Sequence, residues 1–433
     1  VRILVVVHGH PEIYAGGSEI VARSLSAAFR ATPGVSSRFI AVLRPGEASI
    51  GAGTGFSSFD GTEGESLFTA GILDDFFVSQ TALPDLTQTF GAFLKAYDPD
   101  VVHFHHILNI GVEALRVTRN VLPEAVIAYT THEFIPICNR QGQMLRTDDT
   151  LCTKAGPRRC TRCFPNIPAS EFLLRERYIK AHFEAVDGFI APSRFVLQRY
   201  VDWGVDERKI TYIENGHPAT GDAGFDLRTP NPAPVFAFFG QINPYKGVMT
   251  LLDAVELLLN GGVSDFVVRI HGTLRRQTQA FIDEYEATVA RVRAHPRYAG
   301  QVQLLGAYEP AETIALMREA DAIVVPSRWW ENSPLVIQEA FIAKRPVICS
   351  DIGGMAEKVR NEVDGLHFRA RDPVSLARLM RRCIEDRTLL PSLTEFREIP
   401  SSGDSARIHL DHYASLAAAA ASRRRLSDIV VPT

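Results

Sequence analysis

The sequence predicts an α/β protein made of two doubly wound parallel-sheet domains. Three observations carry that expectation. Short β-branched runs alternate with longer helical patterns, as parallel sheets covered by helices on both faces require. The strand candidates are continuous apolar runs, the pattern of strands buried on both sides. The series breaks near 215–234, where GHPATGDAGFDLRTPNPAP is rich in Gly, Pro and Asp and has no periodicity. With 433 residues, 46% of them hydrophobic, the chain exceeds one ordinary core.

The elements follow in order. VRILVVVHGHPE opens as a strand over 3–7; its apolar stretch is too short for a secretory leader and has no small-residue cleavage site. Gly16-Gly17-Ser18-Glu19 opens a helix over 19–30, and small residues there let backbone approach a ligand. The polar, glycine-rich stretch 45–66 reads as an exposed loop or hairpin. Its Gly51-Ala52-Gly53-Thr54-Gly55 is not a dinucleotide fingerprint, because it joins no strand to a helix. Strands at 101–105, 126–130, 188–191 and 210–213, with helices at 112–119 and 169–185, complete a first domain. Strands at 235–239, 267–271, 302–304, 322–325 and 346–349, with helices at 248–259 and 273–294, form the second. A last helix over 406–424 is long enough to cross back. The expected division is therefore 1–217 plus about 405–433, and 218–404. Ligands of such folds bind at the C-terminal ends of the strands, and two such domains facing each other would form a cleft.

Composition excludes several classes. Net charge is −4 and the isoelectric point about 6.4, which does not suit a nucleic-acid binder. No apolar run reaches the ~18 residues that span a bilayer. The expected location is the cytoplasm, with peripheral membrane association at its inner face as the alternative role for Arg423-Arg424-Arg425, which otherwise complements a helix dipole. Cys349 and Cys383 read as small hydrophobes. Asp98-Pro99-Asp100, between a helix and a strand, reads as a turn rather than a metal motif.

The richest stretch is WWENSPLVIQEAF, 329–341. Ser333 is a good N-cap and Pro334 suits the first helical position, so a helix runs from Leu335 to about Lys344. It is apolar nearly all round, hence buried. Glu339 then sits against the core, where an unpaired carboxylate costs several kcal/mol, and needs a partner. A helix N-terminus is an anion site. A nucleotide diphosphate bound there would lay its ribose hydroxyls along the helix toward Glu339, and Glu331 would face the group beyond the phosphates.

Glu331-x7-Glu339 resembles the donor signature of retaining GT-B glycosyltransferases of family 4. The neighbouring motifs agree in order: Phe239-Gly240-Gln241-Ile242-Asn243-Pro244-Tyr245-Lys246-Gly247, Leu305-Gly306-Ala307-Tyr308, Pro326-Ser327 and Asp351-Ile352-Gly353-Gly354-Met355-Ala356-Glu357. The resemblance covers nearly the whole chain. It implies a GT-B fold of two Rossmann-like domains and transfer of a sugar from a nucleotide diphosphate sugar to a sugar, lipid-linked or small-molecule acceptor. That chemistry belongs to polysaccharide, glycolipid or glycoconjugate synthesis, with no catalytic metal. It implies that Glu339 holds ribose hydroxyls and Glu331 those of the donor sugar. The backbone of Asn332, Ser333, Pro334 and Leu335, with Gly240, Gln241 and Lys246, would receive the diphosphate. The family carries arginine where this chain has Gln241, which can donate hydrogen bonds but brings no charge. Gly16 and Gly17 would border the bound ligand from the first domain. His132, just after strand 126–130, takes the position of an active-site histidine, so His132, Glu331 and Lys246 are the expected catalytic residues. A sugar phosphorylase on the same fold and a non-catalytic nucleotide-sugar scaffold are the alternatives.

Two further clusters stand out. In His103-Phe104-His105-His106, alternation puts His103 and His105 on one face, but no carboxylate or cysteine has the spacing to complete a metal site, so a packed strand end is expected. Cys138-x13-Cys152-x7-Cys160-x2-Cys163 lies in a basic loop. Four thiolates would give structural zinc; unliganded thiols or oxidised pairs are the other readings.

Overall fold

The computed structural model describes residues 1–13, 16–47, 55–59, 62–81, 83–218 and 231–429, with backbone only at 85 and 423–429. Most of the inter-domain stretch, the glycine run at 51–54 and the side chains of Arg423, Arg424 and Arg425 thus lie outside the described residues. The chain divides into two compact units, Val1–Ala219 with Pro400–Thr433, and Thr220–Ile399.

The first unit holds a sheet of eight strands. From edge to edge they run Ile210–Tyr212, Gly188–Ala191, Val126–Thr130, Val101–Phe104, Arg2–His8, Ser36–Leu43, Glu65–Thr69 and Phe56–Ser58. All neighbours are parallel except the last pair, an antiparallel pair whose first strand lies in the stretch expected to be a loop or hairpin and whose second runs past it to Thr69. The central strand Arg2–His8 is buried from Ile3 to Val7. Ile3, Val5 and Val7 pack with Phe29 of helix Gly17–Arg30 and with Ala406 and Tyr413 of the C-terminal helix Ser402–Ile429. That helix returns to this unit, and Tyr413 OH meets His103 Nδ1 at 2.7 Å. Asp98 and Asp100 form the expected turn: Asp98 is left-handed at φ 49°, and both carboxylates hold Arg2.

The second unit is a six-stranded all-parallel sheet, ordered Val302–Gly306, Val267–His271, Val235–Phe239, Ala322–Val325, Val347–Ser350 and Gly365–Phe368. Alternation along Val235–Phe239 divides the core. Phe236 and Phe238 join one cluster with helix Val248–Asn260, while Val235, Ala237 and Phe239 join another with Ile337 and Phe341. Both faces of Val235–Phe239 are therefore covered, which is why this strand is apolar at every position. Helix Gln279–Arg293 starts later than its pattern suggested: Thr278 caps it by accepting from Phe281 N–H, and Arg276, at φ 55°, breaks any earlier turn. Among the described residues no helix is long and apolar enough to cross a membrane.

Candidate functional site

In the second unit the predicted residues gather beyond the C-terminal ends of three neighbouring strands. Val235–Phe239 leads into Gly240 and the loop to Gly247, and Asn243 shapes that loop by accepting the N–H groups of Tyr245 and Lys246 at 3.0 Å each. Gly247 caps helix Val248–Asn260 at φ 76°, and a Cβ there would sit 1.8 Å from the Pro326 carbonyl oxygen. Only glycine allows the first loop to lie against the second. The second loop follows Ala322–Val325 and is tied to the first by Arg328 N–H donating to Tyr245 O at 2.7 Å, with the Tyr245 and Trp329 rings stacked at 5.4 Å. The third contribution comes after Val347–Ser350. Gly354 N–H donates to Glu331 O at 2.7 Å, and a Cβ on Gly354 would lie 2.0 Å from Asn332 O.

These loops enclose Glu331, which is only 7% exposed. Its Oε1 accepts three hydrogen bonds, from Lys246 Nζ at 2.8 Å, Ser327 Oγ at 2.8 Å and Trp329 Nε1 at 2.9 Å. Burial alone would push this carboxyl up, but the Lys246 ammonium and the three donors outweigh it and hold the group below the ordinary value. Glu331 is therefore a buried, ionised carboxylate with one oxygen fully committed.

Helix Leu335–Ile342 starts four residues later. Two expectations need correction here. Ser333 does not cap the helix: the cap position is Pro334, no side chain caps the helix, and Ser333 Oγ is buried without a hydrogen-bond partner. The helix is also not buried all round. Ile337, Gln338, Ala340 and Phe341 are buried, whereas Leu335, Val336 and Glu339 are only half-buried. Leu335 and Glu339, four apart, share one face, so Glu339 lies along a partly open stripe that begins at an uncapped N-terminus. Tyr308, after Val302–Gly306, is near enough that the Glu339 charge adds to burial in raising its phenol. Gln241 is exposed and brings no charge.

In the first unit the strand ends gather histidines. His132 follows Val126–Thr130, and its Nε2 lies 2.8 Å from His105 Nδ1. His106 contacts His8 ring to ring at 3.9 Å and lies 3.5 Å from Glu133 Oε1; His8 Nε2 lies 3.2 Å from Glu19 Oε1. Gly16 and Gly17 open the helix that carries Glu19, and Gly16 packs against the Glu19 carboxylate. Burial pushes His132 down to about 3, with the His8 and His409 charges adding to the effect. Burial pushes Glu133 up to about 8 despite the Ile135 N–H and the Arg175 charge. Sequence reasoning singled out His132 but gave no role to Glu19 and Glu133, whose only signal is that each lies at a helix start or just beyond a strand end. His103 is fully buried between Thr130 Oγ1 and Tyr413 OH, at 2.7 Å each, in keeping with a packed strand end. The four cysteines of the basic loop line one cavity, but among the described residues no group of three His, Cys, Asp or Glu is arranged to hold a metal ion.

The model of the family described as Glycosyl transferases group 1 matches residues 223–399, and that of Glycosyltransferase Family 4 matches residues 15–219. A D-inositol 3-phosphate glycosyltransferase of Corynebacterium efficiens is 30% identical over 176 residues, 40% of each chain. The same enzyme of Salinispora tropica is 28% identical over 315 residues, 66% of this chain and 57% of that one. The matched part of this chain thus spans less than two thirds of these relatives. Among solved structures, Anabaena HepE in complex with UDP and glucose superposes with a TM-score of 0.64 at 16% identity, covering 95% of this chain and 99% of that one. Sucrose-phosphate synthase from Thermosynechococcus elongatus gives 0.63 at 17%, covering both chains fully.

Proposed function

The chain belongs to the group 1 and family 4 glycosyltransferases and has their GT-B fold, and from that premise we propose that it is a retaining enzyme transferring a sugar from a nucleotide diphosphate sugar to an acceptor hydroxyl. One observation carries the reading: Glu331, buried and ionised, is tethered to Lys246 four residues before an uncapped helix that presents Glu339 on a half-open face. Such a helix end attracts a diphosphate through its free N–H groups and dipole. Lys246 keeps two of its three N–H donors for phosphate oxygens once Oε1 of Glu331 holds the third. Glu339 then receives the ribose hydroxyls, and Glu331 the hydroxyls of the sugar being moved. As the bond from the anomeric carbon to the phosphate oxygen breaks, helix dipole, backbone amides and Lys246 stabilise the charge gathering on the diphosphate. The leaving oxygen takes the proton of the acceptor hydroxyl, so no carboxylate nucleophile and no catalytic metal are invoked. His132, neutral near pH 7, serves the acceptor side as a hydrogen-bonding group rather than a cation. The acceptor is a sugar, a lipid-linked sugar or another small molecule with a free hydroxyl.

A thermal-shift screen of UDP-, GDP-, ADP- and TDP-sugars tests the donor site. One base raises the melting temperature, since a bound donor stabilises by mass action, and Glu339→Ala removes that shift. Identical melting with every donor, or a shift that survives Glu339→Ala, would sink the assignment.

A further inference from the structure

The stretch 151–170 carries Lys154, Arg158, Arg159 and Arg162 and no acidic residue, in a chain whose net charge is −4. All four side chains are exposed, and among the described residues none of them forms an ion pair. Arg2, Arg44, Arg208 and Arg407, exposed elsewhere in the same unit, each hold an aspartate. Cys138 and Cys160 of the same loop bring no compensating charge, because burial raises both thiols and keeps them protonated near pH 7. The loop is therefore a patch of uncompensated positive charge rather than a solvated face of mixed sign.

These cations border an apolar helix face. The turn Pro157–Cys160 packs on helix Ala169–Phe183, and the Phe164 and Phe172 rings meet at 5.9 Å. That helix buries Phe172, Arg175, Ile179 and Phe183. Its outward side holds Ser170, Leu173, Leu174 and Arg177, spaced three and four apart. Leu173 is 46% exposed and Leu174 54%. Arg177 likewise forms no ion pair among the described residues. The nearby acids are taken up: Glu176 pairs with Lys180 at 2.6 Å, and Glu171 is half-buried in the first turn, where it complements the helix dipole. A single exposed leucine is ordinary; two adjacent ones beside Arg177 and the four loop cations call for a partner.

We propose that this surface docks the first unit on an anionic lipid bilayer. The two leucines enter the boundary between headgroups and acyl chains, and the cations sit over lipid phosphates. Apolar burial and electrostatic attraction together hold such interfacial helices. An acidic protein suits the patch less well. Protein interfaces rest on exposed aromatic anchors, whereas Phe164 and Phe172 pack on each other here. A nucleic acid would want the same missing rings for stacking. Docking of this kind is independent of the transfer reaction, since none of these residues touches the donor site or the histidines beyond the strand ends.

The test is co-sedimentation of the full chain with vesicles of about 30% phosphatidylglycerol in phosphatidylcholine, against phosphatidylcholine alone. Partition into the anionic vesicles should exceed that into the neutral ones by roughly a hundredfold, and should fall steeply in about 0.5 M salt. The Arg158→Ala, Arg159→Ala, Arg162→Ala variant should bind roughly a hundredfold more weakly, and the Leu173→Ser, Leu174→Ser variant roughly tenfold. Both should keep the wild-type turnover of a water-soluble acceptor. A wild-type chain that partitions equally into the two kinds of vesicle, or into neither, overturns the proposal whatever the variants do. So does a folded triple variant that binds as the wild type does, or capture by polyglutamate beads with none by vesicles, which would mark a site for an acidic protein.

Discussion

Replacing Lys246 with alanine is expected to lower turnover by roughly a hundred- to a thousandfold, the usual cost of removing one preorganised charge donor from a transition state. Two consequences of the substitution need separating. Without the ammonium, Glu331 keeps only Ser327 Oγ and Trp329 N–H as donors and becomes an under-compensated buried charge. Stability should fall by roughly 2 kcal/mol, below the figure for a fully buried pair because the Lys246 side chain is 30% exposed. Adding Glu331→Gln removes that orphaned charge, so the double variant should regain most of the stability. It should regain none of the turnover, because the diphosphate still lacks its cation and the donor sugar now lacks a carboxylate. A double variant that regains turnover along with stability would show that the pair serves folding alone.

The second large effect is on pH. His103, His105, His106, His132 and His409 all belong to the first unit, and burial pushes each below its ordinary value, His132 to about 3 and His409 to about 4. The unfolded chain binds protons at these histidines near pH 6.5 while the folded chain does not. Stability is therefore present above about pH 6.5 and lost as pH falls toward the depressed values, at about 1.4 kcal/mol per pH unit for each fully shifted group. Glu133 has the opposite sign: raised to about 8, it favours the fold at low pH and loses that contribution as pH rises from about 4.5 to 8. One carboxyl offsets one histidine; four of these five remain, and burial lowers His10 and His412 of the same unit as well. Calorimetry between pH 6.5 and 5 should show the first unit's transition falling by about 10 °C or more per pH unit. The second unit holds only His271 and His367 among the groups shifted this way, so its transition should move far less. Glu133→Gln should flatten the alkaline decline between pH 6.5 and 8. Parallel shifts of both transitions would contradict the assignment to the buried histidines.

Much of the donor site could be read from the chain because its constraints are local or compositional. A carboxylate inside an apolar run, Glu339, and glycines where two backbones touch, Gly247 and Gly354, leave marks in sequence. The partner of Glu331 did not, since Lys246 is 85 residues away and meets it only through parallel strand ends. Ser333 misled for a physical reason. It has the side chain of a cap, but Pro334 takes the cap position and the Ser333 hydroxyl points elsewhere. In the fold, the parallel alternation was plain, whereas Ser36–Leu43 and Gly365–Phe368 were missed as strands. The first lies against the glycine-rich stretch that obscures its end. The second is four residues long and starts with a glycine pressed to within 2.2 Å, at its missing Cβ, of Val347 O.

The most direct measurement follows the reaction itself: full-length protein with the donor picked out by thermal shift, an acceptor sugar, and anomer-resolved NMR, run in parallel with the matching sugar 1-phosphate. The proposed mechanism predicts release of nucleoside diphosphate, a new glycosidic bond with the anomeric configuration of the donor, and no turnover of the sugar 1-phosphate. A product of inverted configuration, or turnover only from the sugar 1-phosphate with release of inorganic phosphate, would contradict it.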